Sequence, residues 1–359
     1  MADYVINTAG TAEDDLLGAF HKKELLETLF DNSVMAQFAQ QELLQETNGL
    51  TITFHSLNAF AKGEILTSQS EDPTAGGITA GTKTVTMIQM GDKKVISNLM
   101  SRAAVVNMVS TIQKYFGESA AATLDDYIQG SLFGTVSTIA TNPLTVTAVS
   151  SLITAGQAPT YTKLPMLYLK QTSISGVVTE IKTSATFTAL TSGFASDYRL
   201  SRLSVRKCRH ILSKFKEANV KPIGDSYVCV SRPAQIDALR SDPDYADWNM
   251  YGNSEKVFKG ETGKIEGIRF VESTNIIEPV TTGLASTDRA HFNIFLGRNC
   301  FAISNFSGDT GVTTTTIPFS QKDHSHALGL IATIGWLYTG AVIVLEKKAG
   351  LGVITVDAR

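Results

Sequence analysis

The chain contains few cysteines, and their number and spacing exclude several kinds of site. Three cysteines are present among 359 residues, at Cys208, Cys229 and Cys300. An odd number at such wide spacing gives neither a disulfide framework nor a pair of metal ligands, and it is typical of a reducing cytoplasm. No serine lies in the Gly-x-Ser-x-Gly turn of hydrolases. The sequence therefore predicts no catalytic residue.

The chain also lacks a strong excess of charge. Lys and Arg number 31 and Asp and Glu number 34, which gives a formal net charge of -3. A chain so close to neutrality has no strong overall attraction for nucleic acid. Its first residues, among them Asp3 and Glu13–Asp15, lack the basic start and apolar run of a secretory signal, so we expect no export.

Two short patterns resemble ligand sites without completing them. Gly76–Thr84 differs by one residue from a phosphate-binding loop, because an extra threonine displaces Lys83, and a strand follows where that loop requires a helix. His324 and His326 would lie on one side of a strand and bind a metal ion with Asp323, or they form a polar turn. Since no further ligand is evident, we predict no enzyme activity, no cofactor and no metal.

The first hundred residues change from a helical to a strand pattern. Glu13–Gln45 has the apolar spacing of helices, with a break at Asp31–Ser33 where a cap can start a second helix. These helices can pack as a pair within one chain; the alternative, an arm along a neighbouring subunit, is implied by the resemblance described below. Thr51–Leu57 and Thr82–Met90 alternate as strands, and the polar stretch between them, Thr67–Gly81, predicts a long hairpin.

A long helix and a β-rich region follow the hairpin. Val109–Phe133 keeps one face apolar over its whole length, which predicts a core helix. Gly134–Ser196 is rich in Thr, Ser and Val, with prolines among short apolar runs, and it predicts several strands. Part of this region is interpreted as an insertion.

A basic amphipathic helix is predicted over Asp197–Ala218, because apolar and basic residues each recur at helical spacing. The apolar side consists of Leu200, Cys208, Ile211, Leu212 and Phe215, and the basic stripe consists of Arg199, Arg202, Arg206, Arg209 and Lys216. The stripe either pairs with acidic surface on a neighbouring subunit or is a solvated helix face.

Three shorter elements follow this helix. Asp225–Ser231 alternates as a buried strand, and Pro233 opens a short helix that ends in the turn Ser241–Asp244. Gly263–Val271 alternates as a further strand that enters from a turn.

One long run without charge, Ala327–Leu345, admits two interpretations. Its length is that of a bilayer-spanning helix, which gives a membrane-tethered β-rich surface protein as an alternative function. Against this, Gly329, Gly335 and Gly340 lower the helix propensity, and many β-branched residues favour strands that are buried on both faces. We therefore favour paired strands of the core.

The succession of helix, strand, helix, loop and strand resembles the axial domain of major capsid proteins of the phage N-four type. The shared features are a helix end at Lys216–Asn219, a strand at Tyr227–Val228, a turn at Arg240–Asp242 and a strand with its flanks at Gly263–Asn275. The resemblance extends over most of the chain and is weakest at Gly134–Ser196.

The resemblance implies an α+β fold of the Hong Kong 97 type major capsid protein, without enzymatic activity. It implies an N-terminal helical arm (1–49), an extended hairpin loop (50–92), a peripheral domain with a long spine helix (93–134), a β-rich insertion or linker (135–196), an axial domain (197–318) and closing strands that return to the peripheral domain (319–359).

The function implied by the resemblance is that of a major capsid protein in the icosahedral head of a tailed double-stranded DNA phage, assembled in the host cytoplasm. The implied partners are copies of the chain in hexamers and pentamers, scaffolding, portal and decoration proteins, and packaged DNA contacted without sequence specificity, with no membrane. The candidate contacts between subunits are Phe54, Lys62 and Lys83 of the hairpin and Arg199, Arg202, Arg206 and Arg209 of the basic stripe.

Overall fold

The computed structural model describes residues 33–44, 49–57, 80–98, 108–133, 164–171, 178–182, 202–245, 264–276, 288–306, 312–317 and 330–358. The helices in these ranges are α1 (Met108–Phe133), α2 (Val205–Glu217) and α3 (Pro233–Arg240), with short 3-10 helices at Met35–Phe38 and Lys347–Ala349. The strands in these ranges are β1 (Gln40–Leu44), β2 (Thr51–Leu57), β3 (Ala80–Thr86), β4 (Ile88–Ser97), β5 (Met166–Gln171), β6 (Val178–Lys182), β7 (Tyr227–Ser231), β8 (Lys264–Ile265), β9 (Ile268–Glu272), β10 (Asp288–Leu296), β11 (Phe301–Phe306), β12 (Val312–Ile317), β13 (Ile331–Val344) and β14 (Gly350–Ala358).

The strands form two main sheets and a separate hairpin. The larger sheet has the order β6-β5-β14-β10-β7-β9-β8, the second has the order β1-β11-β13-β12 with β4 also paired to β13, and β2 pairs with β3. Most neighbours are antiparallel, but β14 runs parallel to β5, β7 to β9 and β1 to β11. Helices packed on mixed sheets make an α+β fold, as the sequence predicted.

One hydrophobic core joins both main sheets with α1 and α2. The apolar face of α1 contributes Phe116, Leu124 and Ile128 to this core. Phe133, at the end of α1, meets Phe292 of β10 edge to face, with the ring centroids 4.7 Å apart. The helix predicted over Val109–Phe133 is thus confirmed, and it begins one residue earlier.

The N-terminal prediction is wrong where the structure describes this region. We predicted helix throughout Glu13–Gln45, but residues 33–44 form the 3-10 helix Met35–Phe38 and the strand β1. β1 pairs in parallel with β11, from Gln40 opposite Ala302 onward. Pairing with a distant strand therefore outweighs the helix propensity of its Gln, Glu and Leu residues. Residues 1–32 and 45–48 lie outside the described residues.

The predicted hairpin is confirmed at its described end. β2 has the predicted bounds, and it pairs with β3 in antiparallel register from Thr51 opposite Thr86 onward. The second predicted strand, Thr82–Met90, divides between β3 and β4, because the chain leaves the hairpin at Met87. Residues 58–79, which include most of the predicted polar tip, lie outside the described residues.

Two of the strands predicted in Gly134–Ser196 are described. β5 and β6 pair with each other, and β5 also pairs with β14. This region therefore supplies one edge of the seven-stranded sheet. Because that sheet takes strands from segments 135–196, 197–318 and 319–359, its pairing crosses the predicted boundaries, and the division into domains stays a prediction.

The basic helix is shorter than its pattern indicated. We predicted Asp197–Ala218, but α2 begins at Val205, and the described residues before it, Arg202–Ser204, are not helical. Ser204 caps the helix, because its side chain accepts a hydrogen bond from the backbone N–H of Lys207. The helical spacing of the arginines continues past this cap, which is why the pattern placed the start too early.

The next two elements are confirmed, and the third is corrected. β7 and α3 lie where the sequence predicted a strand and a Pro-initiated helix. The predicted strand Gly263–Val271 is instead a tight hairpin of β8 and β9, with Ile265 opposite Ile268. Glu266 and Gly267 form its loop with φ of 51° and 83°, as two-residue hairpin loops require. A glutamate in this left-handed conformation gives little signal in a sequence, so the alternation was mistaken for one strand.

The uncharged run Ala327–Leu345 contains one long strand, β13, where we predicted paired strands. β13 pairs with β4 over Ile331–Gly340, with β12 over Thr333–Tyr338 and with β11 over Ala341–Val344. Its first part alternates between buried and more exposed residues, and its last five residues are all buried. The alternative of a bilayer-spanning helix is thus wrong for this strand. None of the helices in the described ranges has the length and apolar character needed to span a membrane.

Candidate subunit interface

The described part of the hairpin is fixed on its own subunit. Ile52 and Phe54 of β2 share one face with Lys83 and Val85 of β3, because these residues are opposite each other in the register. Ile52, Phe54 and Val85 pack in a small apolar cluster at the buried end of β13. The cluster consists of Val85, Met87, Ala302, Ala341 and Ile343, with Ile52, Phe54, Phe306 and Leu345 packed against it.

Lys83 adds a polar attachment to this cluster. Its ammonium Nζ donates hydrogen bonds to the carbonyl oxygens of Val344, at 3.2 Å, and of Leu345. These carbonyls lie at the end of β13, so Lys83 ties the hairpin to the second sheet. Both Phe54 and Lys83 thus have partners within the subunit, and their contact with a neighbour stays a prediction. Lys62 lies outside the described residues.

The outer face of the second sheet is exposed and partly apolar. Val95 of β4 and Ile317 of β12 both lie opposite Thr333 of β13, and Leu337 follows Thr333 by four residues on the same face. The exposed fractions of Val95, Ile317 and Leu337 are 56%, 41% and 39%. Trp336 and the other alternate residues of β13 are buried on the opposite face, toward the core. The name outer sheet face is used below for the surface that contains Val95, Ile317 and Leu337.

Two arginines of the basic stripe form ion pairs within the chain. Arg206 donates through Nε to Asp244 at 2.9 Å, and Arg209 donates through Nε to Glu266 at 2.8 Å. The hydrogen bond with Glu266 raises the pKa of Arg209. Both arginines therefore have a carboxylate partner within the chain, and their contact with a neighbouring subunit stays a prediction. Arg202 precedes α2, and Arg199 lies outside the described residues.

The start of α2 is held by the turn that follows α3. Asp242 accepts a hydrogen bond from the backbone N–H of Val205 at 2.8 Å, in addition to the cap provided by Ser204. A carboxylate at this end of a helix also interacts favourably with the helix dipole. Together with the ion pair between Arg206 and Asp244, this contact fixes α2 against the end of α3.

Lys207 is a fully buried lysine that the sequence pattern did not single out. Its Nζ donates a hydrogen bond to the carbonyl oxygen of Arg202 at 2.7 Å. No carboxylate among the described residues forms an ion pair with it. Burial lowers the pKa of Lys207 to about 7, an effect that the neighbouring Cys208 partly opposes. The protonated form of Lys207 is therefore destabilising in the folded chain near neutral pH.

Asp125 attaches the N-terminal segment to the middle of α1. One carboxylate oxygen accepts from Ser33 Oγ at 3.0 Å and from the backbone N–H of Met35 at 3.1 Å, and the other accepts from the N–H of Val34 at 3.2 Å. Burial raises the pKa of Asp125, while these hydrogen bonds and one from Asn275 oppose the rise. We name this contact the Asp125 attachment.

Asp126 is placed beside this attachment. Burial, with repulsion from Asp125, raises its pKa to about 6. On the same helix, the Gln129 side chain donates to the carbonyl oxygen of Asn275 at 2.8 Å. The middle of α1 therefore joins the N-terminal segment and the chain after β9, both of which are distant in sequence.

A chain of buried polar side chains connects α3 with the larger sheet. Ser231 donates to Asn293 Oδ1, Asn293 donates through Nδ2 to Thr355 Oγ1 at 2.8 Å, and Thr355 donates to Gln235 Oε1 at 2.6 Å. All four side chains are fully buried. Such a network fixes the register of β7, β10 and β14 under α3, because each broken bond leaves a buried polar atom unpaired.

The described residues offer little catalytic chemistry. Burial raises the pKa of all three cysteine thiols, that of Cys208 to about 12, so none is a thiolate near neutral pH. No group of three or more His, Cys, Asp or Glu residues within the described ranges is arranged to hold a metal ion. His324, His326 and Asp323 lie outside these ranges.

No protein-family model matches the chain, and no curated protein matches it. Solved structures do match its fold. The capsid of Ralstonia phage GP4 aligns with a TM-score of 0.59 and 15% identity over 90% of this chain and 87% of that chain. The capsid of cyanophage P-SCSP1u gives 0.56 and 12% over 98% and 91%, and the mature capsid of bacteriophage PhiM1 gives 0.55 and 10% over 90% and 86%. At such low identity the likeness shows the fold alone, and the chain has the Hong Kong 97 type fold found in phage capsids.

Proposed function

We propose that the chain is a major capsid protein that assembles with copies of itself into the icosahedral head of a tailed double-stranded DNA phage. The observation that carries this proposal is the shared fold, which extends over nearly the full length of this chain and of the capsid subunits. The role is structural, without a catalytic step, and the protein is located in the virion shell after assembly in the host cytoplasm.

The outer sheet face is the described surface best suited to contact a second copy. Val95, Ile317 and Leu337 present apolar side chains on a three-stranded surface, whose other residues include Thr313, Thr315, Thr333 and Lys93. An apolar centre within a polar rim is the composition of interfaces between proteins. Because the opposite face is packed against α1 in the core, the surface is rigid before it binds.

The hairpin and the N-terminal segment provide further contacts in this proposal. The base of the hairpin is held by Phe54 and Lys83, and the Asp125 attachment holds the N-terminal segment. The predicted contacts of the N-terminal arm and of the hairpin tip with neighbouring subunits fall on residues 1–32 and 58–79, which lie outside the described residues. In a closed shell many such modest interfaces act together, so each one need not be strong alone.

The predicted domain division and the remaining partners belong to the same proposal. The arm, hairpin, peripheral and axial segments keep the boundaries given above, and the axial segment lies at the centre of hexamers and pentamers. Scaffolding, portal and decoration proteins and the enclosed genome are the further partners of such a shell.

The experiment is expression of the full chain followed by negative-stain electron microscopy. We expect closed particles of uniform size from the wild-type chain. The variant Val95→Lys with Leu337→Lys places charge on the outer sheet face, and we expect it to fold but to give few or no shells.

The matched control is Ser213→Lys with Ser241→Lys, which adds the same charge at two other exposed positions. We expect shells from this control. If the wild-type chain stays monomeric at high concentration, the proposed function is wrong. If both double variants assemble equally well, the outer sheet face is not a subunit contact.

A further inference from the structure

Three loops meet at one end of the larger sheet and bring basic residues together. The first follows α2, the second joins β10 to β11, and the third joins β13 to β14. They carry Lys221, Arg298, Lys347 and Lys348, with Glu346 as the nearby carboxylate. Four cations and one carboxylate leave a local charge of about +3, in a chain whose formal net charge is -3. We name this surface the basic corner.

The basic corner is held rigidly by backbone contacts between the loops. The N–H of Gly297 donates to the carbonyl oxygen of Ala349 at 2.7 Å, and the N–H of Arg298 donates to that of Lys221 at 2.9 Å. A Cβ on Gly297 would lie 2.4 Å from a methyl group of Val220, so only glycine permits this close approach. The basic side chains therefore project from a fixed frame.

The frame is anchored to the core on the side of α2. The hydroxyl of Tyr227 donates to the carbonyl oxygen of Val220 at 2.7 Å, and its ring packs against Phe215 with the centroids 5.2 Å apart. Between the loops lies an open cleft of about 370 Å³ that is lined by polar and charged residues. Its lining residues are Asn219, Lys221, Arg298, Asn299, Glu346 and Lys348.

The charges of the basic corner are mostly unneutralised. Glu346 lies 4.0 Å from Lys348, at the limit of an ion pair. In the described part of the chain, no carboxylate forms an ion pair with the side chains of Lys221, Arg298 or Lys347. This differs from α2, where Arg206 and Arg209 have carboxylate partners within the chain.

The composition of the basic corner favours a nucleic-acid backbone over another protein surface. Interfaces between proteins have an apolar centre, but the large apolar side chains that the described residues expose all lie elsewhere. Lysine, arginine and asparagine side chains supply many hydrogen-bond donors for phosphate oxygens. No aromatic side chain lines the cleft for stacking on unpaired bases, so the surface fits a duplex.

We propose that the basic corner binds the phosphate backbone of duplex DNA, without sequence specificity. For the identity of that DNA as the enclosed genome, this inference rests on the proposed function. It then follows that this end of the larger sheet faces the interior of the shell. The nearly neutral chain as a whole makes the contact weak and local, so that packed DNA is held without being trapped.

The test uses full-length subunits kept dilute enough to remain unassembled, and a fluorescent duplex of about 20 base pairs. The corner variant combines Lys221→Gln, Arg298→Gln and Lys347→Gln. The control variant combines Lys94→Gln, Lys114→Gln and Arg240→Gln, which removes the same charge from exposed positions on β4, α1 and α3. Binding is measured by fluorescence anisotropy between about 50 and 200 mM salt.

The slope of log affinity against log salt concentration should be smaller in magnitude by about 2 to 3 in the corner variant, since about three phosphate contacts are lost. The control variant should keep the wild-type slope. Equal losses in the two variants, or an unchanged slope in the corner variant, would overturn the inference. So would a corner variant that binds DNA normally but no longer forms shells, because the basic corner would then contact another subunit.

Electron microscopy of the same three proteins separates this inference from the proposed function. If the wild-type chain forms shells while its DNA titration matches that of the corner variant, the inference is wrong and the proposed function stands. If no shells form, the proposed function is wrong, and the DNA titration still decides whether the basic corner binds a duplex.

Discussion

The carboxylate of Asp125, in the middle of α1, accepts a hydrogen bond from Ser33 Oγ at 3.0 Å across 92 positions of sequence. The same carboxylate accepts from two backbone N–H groups of the segment that contains Ser33. A single buried side chain thus holds Ser33, Val34 and Met35 by three hydrogen bonds, just before β1 joins the second sheet.

We expect Asp125→Asn to release the N-terminal segment. The amide keeps one acceptor oxygen and turns an NH₂ group toward an N–H donor, which leaves buried donors unpaired and costs about 2 kcal/mol or more. Limited proteolysis should cut the segment around residues 33–44 faster than in the wild type. Ser33→Ala removes one of the three bonds, and we expect a smaller loss of about 1 kcal/mol. If the protease cut all three proteins at the same rate, the Asp125 attachment would not be what holds the segment.

Because of Asp126, we expect the free energy of unfolding to depend on pH in the acidic range. Its pKa is raised to about 6 in the folded chain, from 3.8 in the unfolded chain, so the folded state binds more protons between these values. The stabilisation is complete below pH 3.8 and is lost as the pH rises through about 6. We therefore expect Asp126→Asn to raise the melting temperature at pH 8 and to change it little at pH 4.

The control for this measurement is Asp237→Asn, at an exposed position of α3. We expect it to change the melting temperature by a small and similar amount at both pH values. A gain at pH 8 in the control that equals the gain in Asp126→Asn would mean that the effect comes from net charge and not from burial.

Lys207 gives the opposite dependence at higher pH. Its pKa is lowered from 10.5 to about 7 by burial, so the unfolded state binds more protons between these values. The contribution of Lys207 to the free energy of unfolding should rise with pH in that window, by up to about 1.4 kcal/mol per unit, and it is lost as the pH falls through about 7. Above about pH 8.5 the three buried thiols, whose pKa values are raised, lower the free energy of unfolding and oppose this rise. Lys207→Met should remove the slope and stabilise the protein at pH 7 by about 1–3 kcal/mol.

Urea unfolding at several pH values between about 7 and 8, below the range in which free thiols ionise, measures both effects of the lysine substitution. Lys216→Met, on the exposed side of α2, is the matched control and should keep the wild-type slope. A Lys207→Met variant with the wild-type slope would show that the buried ammonium is not the source of the pH dependence.

Lys83 should affect the local stability of the hairpin more than the stability of the whole fold. Lys83→Met keeps the length of the side chain but leaves the carbonyl oxygens of Val344 and Leu345 without this donor. We expect faster hydrogen exchange at the amides of β2 and β3, while the melting temperature falls only slightly. Lys93→Met, at an exposed position of β4, should leave the exchange of the hairpin unchanged.

Elements with a strong local pattern could be predicted from the sequence. α1, β2 and α3 have apolar spacing or end signals that belong to the element itself, and the structure confirms them. Gln40–Leu44 could not be predicted, because its strand conformation depends on pairing with β11, more than 250 positions away. The loop at Glu266 was missed for a related reason, since a left-handed glutamate has no clear signature.

The candidate surfaces were less accessible to sequence reasoning than the fold. The arginines of α2 were visible as a stripe, but their partners Asp244 and Glu266 come from two separate loops. The basic corner was missed because its residues lie on three loops, with only the pair Lys347 and Lys348 adjacent. Asp125 gave a weak signal, since it lies four residues after Ala121 on the buried side of α1.

The long strand β13 has a mechanical consequence for the second sheet. Ten of its residues are in register with β4, which runs on directly from the hairpin. Tension applied along the strand axis would load these hydrogen bonds together in shear, and they would not open one after another. A force transmitted through the hairpin would therefore be distributed over all the hydrogen bonds between β4 and β13 before any one of them broke.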